Sequence, residues 1–155
     1  MGSLLAVDLG VRAGLALYGG DGRLRWYRSH NFGSVQRLRK GVSRVLSDVP
    51  DLEWVIVEGG GDLAGIWERE AQRRNVSFLT VPAEIWRERF LLPREQRSRV
   101  LAKTHAEVMA RRIIAWSGTK RPTSLRHDAA EAIIVGLWGV LEVGLLDQLP
   151  SQLRR

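Results

Sequence analysis

Two carboxylates stand where a charged side chain is costly to keep, and two more share one helix face. Asp8 closes the apolar run Leu4-Leu5-Ala6-Val7, and Glu58 closes the run Trp54-Val55-Ile56-Val57. A carboxylate at the end of an apolar strand is unfavourable without a partner, and no lysine or arginine lies at ladder spacing to supply one. Asp128 and Glu131 fall three residues apart in His127-Asp128-Ala129-Ala130-Glu131-Ala132, so on a helix they share a face. Taken singly, each acid has a plain reading. Asp8 suits a turn, Asp128 suits a helix first turn stabilised by the macrodipole, and Glu131 suits a solvated face. Taken together they form an all-oxygen ligand set for a hard divalent ion, Mg²⁺ with Mn²⁺ as substitute. Two such ions about 3.5–4 Å apart clamp the attacking and leaving oxygens of a phosphodiester during in-line displacement.

The elements that must position these acids follow from pattern. Residues 3–8, 13–18 and 24–32 read as three strands with short turns, an antiparallel meander closed at Gly19-Gly20-Asp21-Gly22. Residues 34–47 carry helical spacing. Residues 54–57 form a continuous apolar strand of the kind buried on both faces of a parallel sheet. Asp62 is a candidate N-cap for a helix over 62–74, and 77–81 is a fifth strand ended by Pro82. Helices follow over 83–91, 97–116 and 124–143. In the second of these, Ala102, Ala106, Met109, Ile113 and Trp116 make an amphipathic stripe. The order predicts an α/β protein with a five-stranded mixed sheet, three strands antiparallel and then two parallel, flanked by helices. With the first strand central and parallel to the fourth, Asp8 and Glu58 emerge together at the end of the sheet where open α/β folds bind ligands. The alanines beside Asp128 let the last helix lie close to that end.

Length and composition bound the function. The 155 residues predict a single domain over 1–155. No apolar run approaches the roughly 20 residues of a membrane span, and the Leu4–Val7 run lacks the basic flank of a signal peptide. A cytoplasmic protein with no membrane partner is expected. The absence of cysteine removes thiol catalysis, disulfides and cysteine-ligated zinc. The three histidines are His30, His105 and His127, and the first two lie on different predicted elements with no metal-type spacing. Basic residues number 24 against 17 acidic, a net charge of +7, and 21 of the 24 are arginine. Residues 87–126 hold eleven basic residues and three acidic ones (Glu88, Glu95, Glu107), so the excess is concentrated in one segment. Such a segment is either a solvated arginine-rich surface or the footprint of a nucleic-acid binder. Arg87, Arg97, Arg99, Lys103, Arg126 and His127 are the candidate DNA contacts.

The Ala-Val-Asp-Leu-Gly-Val-Arg-Ala-Gly-Leu-Ala start, the Val-Ile-Val-Glu-Gly strand end and the late His-Asp-Ala-Ala-Glu-Ala helix resemble the RuvC family of Holliday junction resolvases, within the ribonuclease H-like superfamily. The resemblance covers residues 4–143. It implies a homodimer that binds four-way junction DNA and makes paired, symmetric, Mg²⁺-dependent nicks, with no small-molecule cofactor. By position, Asp8, Glu58, Asp128 and Glu131 match the family's four metal-binding acids, and Arg87 and Arg97 are candidates to touch the scissile phosphate. The final Glu131 is more like phage and organellar relatives than like bacterial members, so a phage-type resolvase is one reading. Gly59, Gly60 and Gly61 stand where bacterial members place an aromatic residue used at the junction centre.

The helix over 62–74 is expected at a dimer interface. The six tryptophans read as core or interface, with Trp67 and Trp86 the most exposed. His127 reads as a helix-start contact to backbone or DNA, with ligation or proton shuttling as the alternative. Two other functions remain open at this level. One is a related nuclease acting on structured RNA, like the YqgF-type rRNA-processing family. The other is a non-catalytic junction-binding module.

Overall fold

The computed structural model describes residues 2–154. Strands β1 (Ser3–Asp8), β2 (Arg12–Tyr18) and β3 (Leu24–Asn31) are followed by α1 (Val35–Ser47), β4 (Leu52–Glu58), α2 (Gly61–Arg73) and β5 (Ser77–Val81). Helices α3 (Ala83–Phe90), α4 (Arg99–Ser117) and α5 (His127–Glu142) complete the order, with short 3-10 turns at Pro93–Gln96 and Ser151–Leu153. The sheet runs β3-β2-β1-β4-β5, so β1 is central. β1 is antiparallel to β2 and parallel to β4, β2 and β3 are antiparallel, and β4 and β5 are parallel. This is the mixed sheet read from the sequence.

Strand alternation divides the core into two layers. Leu5, Val7, Leu15, Val55 and Val57 face α1 and α2, where Leu38, Val42, Trp67 and Ala71 are buried. Leu4, Ala6, Ala16, Tyr18 and Ile56 face the other way, onto Trp86 and Phe90 of α3, Met109 and Ile113 of α4, and Ile133 and Leu137 of α5. Asp8, Glu58 and Gly14 continue the second alternation, so both strand-end acids point to the α5 side.

Helix α5 is apolar nearly all round, as a helix sandwiched between a sheet and other helices must be. Its close approach needs glycine. A Cβ on Gly14 would lie 1.8 Å from the Asp128 carbonyl oxygen, and one on Gly136 would lie 2.1 Å from the Tyr18 ring. The Tyr18 hydroxyl donates to the Ile133 carbonyl and ties β2 to the middle of the helix. Small residues therefore let α5 settle against the sheet, which lowers its acidic first turn onto the strand ends.

Several expectations are corrected. Trp67 and Trp86 are fully buried, each 0% exposed. Trp86 and Phe90 form a buried i, i+4 pair on α3, a helix too short for its period to be read from sequence. Trp67 is consumed by its own chain's core, edge-on to Phe32. Asp62 lies in the first turn of α2, and Gly60 is the N-cap. Helix α4 begins at Arg99 because the Ser98 hydroxyl caps it, accepting from the Leu101 amide at 3.1 Å, so Arg97 stays outside. Helix α5 begins at His127, three residues later than predicted.

Gly14→Ala should cost about 1–3 kcal/mol through overpacking. The measurement is a lowered thermal midpoint, accompanied by weaker divalent-ion binding because the displaced backbone belongs to Asp128.

Candidate active site

The parallel register pairs Asp8 directly with Glu58, and the antiparallel register pairs Asp8 with Gly14. Two carboxylates are thus fixed side by side on rigid strands. Helix α5 brings the third, Glu131, which is buried at 7% exposure. One oxygen from each of Asp8, Glu58 and Glu131 lies within 4.8 Å of the others. Asp128 stands beside this group but outside that radius among the described residues. Its Oδ2 accepts from the Ser29 hydroxyl at 2.9 Å, and its Oδ1 accepts from the Ala129 amide at 2.7 Å.

Burial pushes the Asp8 carboxyl up to about 9, with Glu131 and Glu58 adding repulsion and Asp128 a smaller share. Burial also raises Glu58, with Glu131 the next cause, while the hydrogen bond from Asp8 and the nearby Arg87 oppose the rise. A protonated Asp8 donating to Glu58 is how the protein alone tolerates the cluster. A divalent cation is the other way to neutralise it, and an all-carboxylate donor set fits Mg²⁺ or Mn²⁺.

Two basic groups address the buried acid. His127 Nε2 lies 2.8 Å from Glu131 Oε1, and Arg87 Nη2 lies 3.5 Å from the same oxygen. Both open onto a cleft of about 370 Å³ lined also by Trp86, Gln96, Arg99 and Lys103. The segment between α3 and α4 is held by buried Glu95, which accepts from the Leu92 amide and pairs with His105 Nδ1, each at 2.8 Å. That anchor sets where Ser98 ends the turn and hence where Arg99 and Lys103 project. Of the sequence candidates, Arg87, Arg99, Lys103 and His127 line this cleft. Arg97 and Arg126 are exposed and do not line it.

Sequence reasoning missed Ser29 and Gly14. Their common signal is register: Gly14 pairs with Ser29 across β2 and β3, so both share the face of Asp8. Only the pairing, not the residue types, makes that visible.

Among solved structures, the chain is similar to RuvC of T. thermophilus in complex with a Holliday junction substrate. The match covers 94% of this chain and 98% of that one, at 18% identity and a TM-score of 0.63. The chain has the RuvC fold. A second similarity, to the catalytic core domain of BIV integrase, has 10% identity, covers 90% of this chain and 80% of that one, and has a TM-score of 0.36. No family model matches the chain, and no curated relative does. On this RuvC fold the acidic cluster lies at the carboxyl ends of β1 and β4, under the first turn of α5.

The raised Asp8 has a stability consequence whose sign is fixed by linkage. Between about pH 4 and the folded value near 9, the native state holds a proton that the unfolded state has lost. Native stability from this group is therefore complete below about pH 4 and declines as pH rises toward 9. Asp8→Asn should melt several degrees above wild type at pH 8 without divalent ions, with the gap closing toward pH 4. Added Mn²⁺ should raise the wild-type midpoint at pH 8 and leave that of Asp8→Asn nearly unchanged.

Proposed function

We propose that this protein is a divalent-metal-dependent endonuclease that resolves four-way DNA junctions, acting as a homodimer through paired symmetric nicks. The observation that carries this reading is the convergence of Asp8, Glu58 and Glu131 within 4.8 Å beside an arginine-lined cleft, on a fold shared with a protein seen bound to junction DNA. A pure binding module gains nothing from a repulsive carboxylate cluster facing a polyanion. In this reading residues 1–155 act as one nuclease domain.

In this reading Asp8, Glu58 and Glu131 hold Mg²⁺ ions, with Asp128 completing the set. When bound, such ions lower the pKa of water and offset charge developing on phosphorus. The protein's own residues do the rest. Strands β1 and β4 fix two carboxylates side by side in direct register. Ser29 and the Ala129 amide orient Asp128. Arg87 and His127 hold Glu131 from the cleft side, and both present donors to an incoming phosphate. Arg99 and Lys103, one turn apart on α4, line the same cleft and attract the strand. Exposed Arg97 and Arg126 extend the positive surface around it, as contacts to the phosphate backbone that carry no sequence information.

The test is a labelled synthetic four-way junction incubated with protein and Mg²⁺, in parallel with linear duplex and structured RNA. Symmetric nicks in the junction are expected, and Asp8→Asn or Glu58→Gln should lower the rate by at least about 10³-fold while leaving junction affinity within a few-fold. Equal cleavage by Asp8→Asn, or preferential cleavage of RNA, would overturn the reading.

A further inference from the structure

A second basic groove shares no lining residue with the cleft beside α4. It runs between edge strand β3 and the segment 118–124 that links α4 to α5, with a volume of about 650 Å³. Arg25, Tyr27, Lys120, Arg121 and Ser124 are among the residues that line it.

The groove is built rather than loose. Ser117 Oγ accepts from the Leu24 amide at 3.0 Å, Thr119 Oγ1 donates to the Leu24 carbonyl at 2.5 Å, and the Tyr27 hydroxyl donates to the Lys120 carbonyl at 2.7 Å. The Arg23 guanidinium donates to the Trp116 carbonyl and sits over the Trp116 ring. These bonds turn the backbone of the segment inward onto β3. Lys120 and Arg121 are left exposed, and neither takes part in an ion pair among the described residues. Arg25 is held by Asp51 at 3.1 Å, so the uncompensated charge is that of Lys120 and Arg121.

Strand β3 connects the groove to the acidic site. Tyr27 and Ser29 share one face of β3 and lie two residues apart, about 7 Å along the strand, and Ser29 donates to Asp128. Seven ångströms is roughly two nucleotide rises at about 3.4 Å per strand.

We propose that this groove binds the sugar-phosphate backbone of a DNA strand on the β3 side of the acidic cluster. The strand then crosses the carboxylates between the groove and the cleft. Lys120 and Arg121 are its principal phosphate contacts. The inference rests on the reading that the acids act on DNA. The competing account is that these charges merely guard the sheet edge, as lysines on edge strands commonly do.

The experiment measures affinity for a fluorescent four-way junction and a fluorescent linear duplex, in EDTA, across 50–200 mM salt. It compares the wild type, K120E/R121E, the milder K120A/R121A, and a control of equal charge change, R39E/K40E on exposed α1 across the sheet. Melting curves check that each variant folds. K120E/R121E is expected to bind about 10-fold or more weakly, with the salt slope reduced by about two. K120A/R121A should fall between that and wild type, and R39E/K40E should stay within about twofold. Equal losses in K120E/R121E and R39E/K40E would reduce the effect to net charge and overturn the groove. Unchanged affinity in K120E/R121E would also overturn it, in favour of edge protection. If wild type shows no preference for the junction yet K120E/R121E still loses affinity for duplex, the groove stands and the junction reading falls.

Discussion

Electrostatic repulsion among carboxylates in a partly dry pocket governs this molecule. Asp8, Glu58 and Glu131 present oxygens within 4.8 Å of one another, and burial alone already opposes the ionisation of Asp8 and Glu58. Such a cluster persists only if something supplies protons or positive charge. Within the chain, burial raises the Asp8 carboxyl so that it keeps a proton more readily, and His127 and Arg87 lie against Glu131. The all-oxygen cluster is compatible with a divalent cation as a further source of positive charge.

Keeping such a cluster intact demands rigid supports. Two of the acids sit on neighbouring strands in direct register, where sheet hydrogen bonds set their spacing. The third comes from α5, whose position depends on how nearly a helix backbone can touch a sheet. Gly14 and Gly136 remove the atoms that would hold it away. The burial of Ala129, Ala130 and Ala132 continues the same close contact. The apolar packing of the α5 layer therefore acts on the site at a distance: it sets the height of Glu131 above the strands. Stability and site geometry are in this sense one property.

Basic residues gather in two places, each fixed by contacts within the chain. In one, α3 and α4 supply Arg87, Arg99 and Lys103, their positions fixed by the Glu95 anchor with His105. In the other, the link into α5 is stapled to β3 by side-chain hydrogen bonds to the main chain. The first turn of α5 carries both His127, which lines the cleft, and Asp128, which is bonded to Ser29.

Much of this was already legible in the sequence. The runs ending in Asp8 and Glu58 fixed two strands and the level of their acids, because alternation and run length are local properties. The excess of eleven basic over three acidic residues in 87–126 could be counted without a fold, but counting left a solvated surface and a nucleic-acid footprint equally open. The pairing of Asp128 with Glu131 on one face followed from helical spacing alone. What local pattern did not reach was anything set by contact between distant segments. Trp67 and Trp86 read as exposed and are buried, since only the opposing layer shows which face of a short helix is covered. Four acids read as one set, yet three converge while Asp128 is turned to Ser29, a residue 99 positions away that no spacing rule connects to it. Tertiary structure decided those points because the distance between side chains on different elements depends on strand register and on how closely helix and sheet can pack. Neither is encoded in the neighbourhood of a single residue.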